Sequence, residues 1–164
     1  MTTHPFDRLD LDDGTAVIMT PCPGTKGVSL RESLTQLAQA GAKSVITLMP
    51  LEEMEKNGVS AMPALCAALG LAWFHLPIED DAAPGEAFHT AWARDKQQIL
   101  AALDHHDVPA VHCRGGSGRT GLMTAIILLE HGMPYDQVVA EVQRIRPKAL
   151  QLDAHVNTFE KWQR

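Results

Sequence analysis

One strand–loop–helix stretch constrains the fold more than any other part of the chain. Residues 108–111 are an apolar run of β-type residues that leads, one residue later, into Cys113. Five loop residues follow, three of them glycine, then Arg119, and residues 122–129 form an apolar helical stretch. Backbone N–H groups and the positive end of the helix dipole therefore converge on one point. The stretch predicts an anion-binding site the size of a phosphate, with a cysteine in it.

This loop combines a nucleophile with a cradle for an oxyanion. The field at the helix N-terminus favours the thiolate form of Cys113, which is the nucleophilic form. Glycine lets the backbone approach a ligand closely and adopt positive φ without strain. Arg119 adds a planar fork that can hold two phosphoryl oxygens and stabilise charge in the transition state. We assign phosphate binding to the whole loop: Arg114, Gly115, Gly116, Ser117, Gly118 and Arg119.

Two neighbours of the loop complete the candidate site. Thr120 can donate a hydrogen bond to the Cys113 sulfur when that sulfur is the leaving group. His112 stands at the end of the strand, where we expect it to orient the loop. The alternative is a glycine-rich turn with a buried structural cysteine, which requires the cysteine, the arginine, three glycines and the strand–helix context to coincide.

The order His112, Cys113, five residues, Arg119, Thr120 resembles the signature of cysteine-dependent protein tyrosine and dual-specificity phosphatases. Other segments, residues 23–26, 41–47 and 75–80, resemble the kinase-associated phosphatase branch (cyclin-dependent kinase inhibitor type). The resemblance implies a phosphocysteine intermediate, a phosphoprotein or phosphopeptide substrate, and no metal or other cofactor. A kinase partner is implied by the resemblance alone.

The chemistry also needs a carboxylic acid that gives a proton to the leaving oxygen. Glu79, Asp80 and Asp81 follow an apolar β-type run and lie in a loop with prolines and a glycine. The resemblance selects Asp80, the Asp after Pro-Ile-x, with Asp81 as the alternative; a solvated acidic turn is the interpretation without function. It also implies that Gln151 positions the hydrolytic water, although His155 stands where a second Gln is often found.

Composition and periodicity predict one α/β domain over residues 1–164, a mostly parallel layered sheet flanked by helices. A chain of 164 residues buries roughly 70% of its unfolded surface. The net charge of −6 argues against nucleic acid as the main partner. No apolar stretch is long enough to span a membrane. Three cysteines, of which Cys22 and Cys66 are expected to be structural, indicate a reducing cytoplasm.

The hydrophobic pattern also places the individual elements. Ser29 and Glu32 predict a capping box before a helix that ends near Gly41. We predict strands over residues 6–9, 16–19, 44–49, 72–76 and 108–111, and further helices over residues 51–56, 62–69, 86–103, 122–129, 134–145 and 152–162.

Three other functions use similar loops. A rhodanese-type sulfur transferase typically has four residues between its cysteine and arginine, whereas this chain has five. A phosphate-binding module without turnover would not need a nucleophile, an arginine and an acid together. A phosphatase for phosphoinositides or small phosphoesters would use the same loop. However, only Arg114 is basic among the five loop residues, and no polybasic segment is present to dock on anionic lipid.

Overall fold

A computed structural model describes residues 2–162, which build a five-stranded sheet between two layers of helices. The strands are β1 (Asp7–Asp10), β2 (Ala16–Thr20), β3 (Ala42–Thr47), β4 (Ala72–His75) and β5 (Val108–His112). Their order in the sheet is β1-β2-β5-β3-β4; β1 and β2 are antiparallel, and the other three pairs are parallel. The predicted α/β fold with a mostly parallel sheet is therefore confirmed.

The helices divide between the two faces of the sheet. They are α1 (Leu30–Gln39), α2 (Leu51–Lys56), α3 (Met62–Ala68), α4 (Glu86–Asp104), α5 (Gly118–Glu130), α6 (Tyr135–Ile145) and α7 (Asp153–Trp162). One buried cluster joins α1, α2 and α3 to the sheet, and a larger one joins α4, α5, α6 and α7 to its other face. Most of α5 is buried, so the helix that follows the glycine-rich loop is held firmly in the core. Among residues 2–162, no helix is long and apolar enough to cross a membrane.

Helix α1 begins as the sequence predicts, but with half of the expected cap. The Ser29 hydroxyl accepts a hydrogen bond from the Glu32 N–H at 3.1 Å, which satisfies one of the free donors of the first turn. The Glu32 carboxylate accepts instead from the Gln36 amide, one turn later at 3.4 Å. The reciprocal bond of a capping box is therefore replaced by a side-chain pair along the helix.

Three parallel strands end at the same level. Thr47 of β3 is in register with His75 of β4 on one side and with His112 of β5 on the other. Strand β3 therefore stops at Thr47, two residues earlier than predicted, because both of its neighbours stop there. The carboxyl ends of neighbouring parallel strands form the usual position for a ligand site in such a sheet, and the glycine-rich loop leaves the sheet at this edge.

Candidate active site

Cys113 lies directly after β5, with only 4% of its surface exposed. Its Sγ accepts hydrogen bonds from the Gly116 N–H at 3.3 Å and from the Thr120 hydroxyl at 3.1 Å. Both donors belong to the loop and to the first turn of α5. The sulfur therefore accepts from two donors at a helix N-terminus, an arrangement that suits an anionic sulfur.

The loop is seated against β2, and one glycine makes this possible. Gly116 has a φ of +85°, and a Cβ added there would lie 2.6 Å from the Pro21 nitrogen. Two loop carbonyls turn away from the cysteine: that of Arg114 accepts from the Cys22 N–H at 3.0 Å, and that of Gly116 accepts from Arg146 Nε at 2.8 Å. With these carbonyls bound behind the loop, the loop N–H groups other than that of Gly116, which donates to the Cys113 sulfur, are free to face a ligand.

The first turn of α5 supplies further free donors. Its N-cap residue, Ser117, makes no side-chain cap, and the first backbone bond of the helix runs from the Gly121 N–H to the Ser117 carbonyl at 2.7 Å. Within residues 2–162, the N–H groups of Gly118 and Arg119 have no acceptor. Unpaired N–H groups at a helix N-terminus bind anions well.

Arg119 is held in place while one of its donors is left open. Its side chain is 2% exposed, and its two terminal nitrogens donate to the two carboxylate oxygens of Glu53, each at 2.8 Å. One of them also donates to the Ile78 carbonyl at 2.9 Å. Burial by itself would lower the pKa of Arg119, but the hydrogen bonds of Glu53 and the negative charges of Cys113, Glu53 and Asp80 together raise the pKa. The buried Nε has no partner within the described residues, so it requires an acceptor.

His112 joins the loop to the sheet through a chain of hydrogen bonds. Burial lowers the pKa of His112 to about 4, so the imidazole is neutral at pH 7. Because a carbonyl can only accept, Nδ1 carries the proton and donates to the Cys113 carbonyl at 3.0 Å. Nε2 then accepts from the Thr47 hydroxyl at 2.7 Å, whose oxygen accepts from Trp73 Nε1 at 2.8 Å.

The predicted acid lies on a neighbouring loop, residues 79–85, called the acid loop below. The Ala82 N–H donates to the Glu79 carbonyl at 3.2 Å, which closes a turn with Asp80 and Asp81 at its centre. Asp80 Oδ1 lies 3.4 Å from a terminal nitrogen of Arg119, although 71% of the Asp80 side chain is exposed. Of the two aspartates, Asp80 is therefore the one that the structure brings to Arg119.

Two predicted residues make their contacts elsewhere. The Arg114 side chain is exposed, and its Nε donates to Asn57 at 2.7 Å. It lines an open cavity of about 410 Å³ beside the loop, together with Asp80. Gln151 is exposed as well, and its amide donates to the Pro147 carbonyl at 3.3 Å. No hydrogen bond within residues 2–162 brings either side chain to the Cys113 sulfur.

Sequence reasoning missed Glu53 and Arg146, which brace the loop from outside. Glu53 reaches Arg119 across 66 positions of the chain, and Arg146 reaches Asp7 across 139 positions. A buried arginine signals that some carboxylate must accompany it. However, nothing in the α2 sequence distinguishes Glu53 from its acidic neighbours.

The two remaining cysteines differ from Cys113 in their surroundings. Cys22 and Cys66 are buried and free, and burial raises the pKa of each to about 12. Both therefore remain thiols at neutral pH.

Comparison with known proteins now places the chain. Residues 23–133 match the family described as Tc-R-P, polymorphic toxin system, DSP-PTPase phosphatase. The match spans more than half of the 164 residues. The chain belongs to this DSP-PTPase family. The family resemblance predicted from the cysteine loop is therefore confirmed.

Solved structures with low sequence identity share the fold. Kinase associated phosphatase, crystallised with serine in place of its catalytic-site cysteine, superposes with a TM-score of 0.85 at 19% identity and covers 99% of this chain and 95% of its own. PTPMT1 superposes with a TM-score of 0.73 at 16% identity, with 97% and 94% covered. The DSP-PTPase fold is thus similar to that of kinase associated phosphatase over nearly the whole length.

Curated relatives are similar over part of their length. Mouse (Mus musculus) protein tyrosine phosphatase type IVA 2 is 28% identical over 108 residues, which are 58% of this chain and 62% of the relative. Tyrosine-protein phosphatase cdcA of Emericella nidulans is 28% identical over 107 residues, 61% of this chain and 18% of the relative. The chain therefore spans less than two thirds of either relative.

Proposed function

We propose that this chain is a phosphoprotein phosphatase that hydrolyses phosphotyrosine, and phosphoserine or phosphothreonine besides, through a phosphocysteine intermediate. The observation that carries the proposal is the buried, unpartnered Nε of Arg119, in the same helix turn whose Thr120 hydroxyl donates to the Cys113 sulfur. A tetrahedral dianion can accept from this nitrogen and from the free N–H groups of the loop, and its phosphorus then faces the sulfur. Membership of the DSP-PTPase family and the similarity to tyrosine phosphatases support the same conclusion.

In the first step, the Cys113 thiolate attacks phosphorus, an S–P bond forms and the P–O bond to the leaving group breaks. Asp80 gives its proton to the departing oxygen. Arg119 and the loop N–H groups hold the three equatorial oxygens, where charge develops. In the second step, water attacks phosphorus and passes a proton to the Asp80 carboxylate while the S–P bond breaks. Thr120 then donates to the sulfur that leaves. No metal or other cofactor takes part.

Charge near the site favours a phosphopeptide over a phosphoinositide. The cavity of about 410 Å³ beside the loop is lined by four carboxylates and two cations: Glu52, Glu53, Glu79, Asp80, Lys56 and Arg114. A head group with several phosphates would meet this acidic surface, whereas a phosphopeptide brings one phosphate on an uncharged backbone. The spacing of five residues between Cys113 and Arg119 weighs against sulfur transfer of the rhodanese type.

The proposal extends to the compartment and the partner. A reducing cytoplasm suits a chain with three free cysteines, one of which must remain a thiolate. The similarity to kinase associated phosphatase makes a protein kinase the first partner to test.

The test is turnover of p-nitrophenyl phosphate and of a phosphotyrosine peptide in the presence of a metal chelator. Cys113→Ser should abolish turnover yet still bind tungstate, because the loop N–H groups and Arg119 remain. Arg119→Ala should lose both, with a rate cost of at least roughly 10²–10³-fold. Cys66→Ser is the matched control, a buried free cysteine outside the site. Substantial turnover by Cys113→Ser, or sulfur transfer to cyanide by the wild type, would refute the proposal.

A further inference from the structure

His155 is a buried side chain that bonds to the acid loop and lies near the phosphate-binding loop. It lies in the first turn of α7 and is 2% exposed. Its Nε2 lies 3.1 Å from the Ala82 carbonyl of the acid loop. Its ring also lies near Gly118 of the phosphate-binding loop, where an added Cβ would stand 3.6 Å from His155 Cε1.

The direction of this hydrogen bond follows from chemistry. Burial lowers the pKa of His155, so the imidazole is neutral at pH 7 and carries one N–H. The Ala82 carbonyl can only accept, so Nε2 is the donor. A fixed, uncharged donor thus points at the acid loop from the helix behind it.

The helix that carries His155 is anchored in the core. One turn further along α7, on the same face, Phe159 is almost completely buried in the larger core cluster. The His155 N–H itself donates to the Leu152 carbonyl at 2.9 Å and closes the first turn of the helix. Through its hydrogen bond to the Ala82 carbonyl, His155 therefore ties the acid loop to the core.

The acid loop has few other anchors. Before Asp80, the Ile78 carbonyl accepts from Arg119 at 2.9 Å. After Asp80, the Ala82 carbonyl accepts from His155. Between these points, within the described residues, the loop has its own turn bond and the 3.4 Å contact of Asp80 with Arg119, and Asp81 is held at a positive φ of 57°. The two anchors lie on either side of Asp80. Arg119 belongs to α5 and His155 belongs to α7.

We propose that His155 is a positioning residue for the acid: its N–H fixes the Ala82 carbonyl and thereby sets the place of Asp80 relative to the phosphate. This inference rests on the phosphatase function proposed above. His155 itself need not touch the substrate. Misplacing an acid by about 1 Å can cost up to about 10² in rate, which is the range that the loss of this anchor should reach.

The experiment compares His155→Leu with His155→Gln on two substrates, a phosphotyrosine peptide and an aryl phosphate whose leaving group is strongly acidic. We expect His155→Leu to lower kcat on the peptide by up to about 10²-fold with KM little changed. The loss should be much smaller on the activated aryl phosphate, which leaves without protonation. His155→Gln should retain most of the rate, because its amide still offers an N–H.

A double-mutant cycle separates positioning from general support of the fold. If His155 acts through Asp80, then His155→Leu should lose little further rate in an Asp80→Asn background. Equal losses on both substrates together with weaker tungstate binding, additive losses in the double mutant, or wild-type kinetics in His155→Leu would each overturn the inference. The control is His131→Gln, at the far end of α5, roughly 20 Å along that helix from the loop.

Hydrogen exchange supplies a measurement that does not need turnover. The Ala82 N–H, bonded to the Glu79 carbonyl, should exchange faster in His155→Leu than in the wild type or in His131→Gln. A wild-type protein without phosphatase activity would refute the proposed function, and this exchange would still test the anchor. Unchanged exchange at Ala82 in His155→Leu would refute the anchor whatever the activity.

Discussion

The phosphate-binding loop and the acid loop differ in how they are held. Cys113 is 4% exposed, and its loop is braced by β2, by Arg146 and by the hydrogen-bond chain through His112. The Asp80 side chain is 71% exposed, and its loop is held by one internal turn bond, by the 3.4 Å contact of Asp80 with Arg119 and by one anchor on each side. The phosphate-binding loop is buried at Cys113, Gly116 and Arg119, whereas the acid loop lies on the surface.

The difference shows which part of the active site is held in position before the substrate binds. An oxyanion cradle works best when its donors are fixed before the substrate arrives, and burial provides this. A proton donor must meet leaving groups of different shapes, and surface loops with few contacts open at low free-energy cost. We therefore expect changes in the acid loop to act on kcat for demanding substrates, and changes beneath the phosphate-binding loop to act on stability as well.

Outside the nucleophile and Arg119, the largest effect should come from the acid. Asp80→Asn should lower kcat by roughly 10²–10⁴ on peptides, whose leaving groups need a proton. The loss should shrink on activated aryl phosphates, and the limb of the pH–rate profile that belongs to the acid should flatten. Steady-state kinetics on both substrate types across pH provides the measurement.

The matched control for this change is Asp81→Asn, on the neighbouring carboxylate. Asp81 belongs to the same turn but has no contact with Arg119 among the described ion pairs. If Asp81→Asn produces the leaving-group dependence and Asp80→Asn does not, the choice between the two is wrong. If neither does, the acid lies outside this loop and the comparison between the loops fails.

A smaller effect concerns the free energy of unfolding and comes from His112, which lies beneath the phosphate-binding loop. Burial lowers the pKa of His112 from 6.5 to about 4. Between these values the unfolded chain binds a proton that the folded chain does not, so the free energy of unfolding falls as the pH falls. The full contribution is present above pH 6.5, and about 2 kcal/mol of it should be lost by pH 5. Denaturant unfolding at pH 8 and at pH 5 measures this loss.

The control is the same measurement on two variants. His112→Gln removes the titrating group and should be less stable at pH 8, with a weaker dependence on pH. His105→Gln changes an exposed histidine and should follow the wild type at both pH values. An undiminished pH dependence in His112→Gln would mean that other groups cause it, for example His4 or His155, whose pKa values burial also lowers.

The sequence predicts the phosphate-binding loop better than it predicts the contacts that join distant segments. The phosphate-binding loop is local: the strand, the glycines and the helix that make it lie within 22 residues, from Val108 to Leu129. Element types and most boundaries were predictable for the same reason, since periodicity and turn residues act over short distances. Strand β3 ended early because its end depends on its neighbours in the sheet, His75 and His112.

Contacts between distant segments could not be predicted. Glu53 is one of several acidic residues near α2, and only the folded chain brings it to Arg119. The resemblance implies that Gln151 positions the hydrolytic water; its amide bonds to the Pro147 carbonyl, and this role stays a prediction. His155 bonds to the acid loop from α7, and this contact could not be predicted because it depends on how α7 packs against α5.

The smallest effect should come from Arg114, the loop residue whose side chain is exposed. It donates to Asn57 and does not point into the cradle, so its charge acts through solvent, where one exposed charge contributes about 1 kcal/mol or less. Arg114→Ala should therefore raise KM for a phosphotyrosine peptide by no more than about fivefold, with kcat unchanged. Asn57→Ala, which releases the side chain without removing the charge, should change KM even less. A loss in kcat/KM above tenfold in Arg114→Ala would place this side chain on the phosphate. A kcat/KM for any phosphoinositide above that of the best phosphotyrosine peptide would overturn the choice of substrate class and leave the chemistry of Cys113 intact.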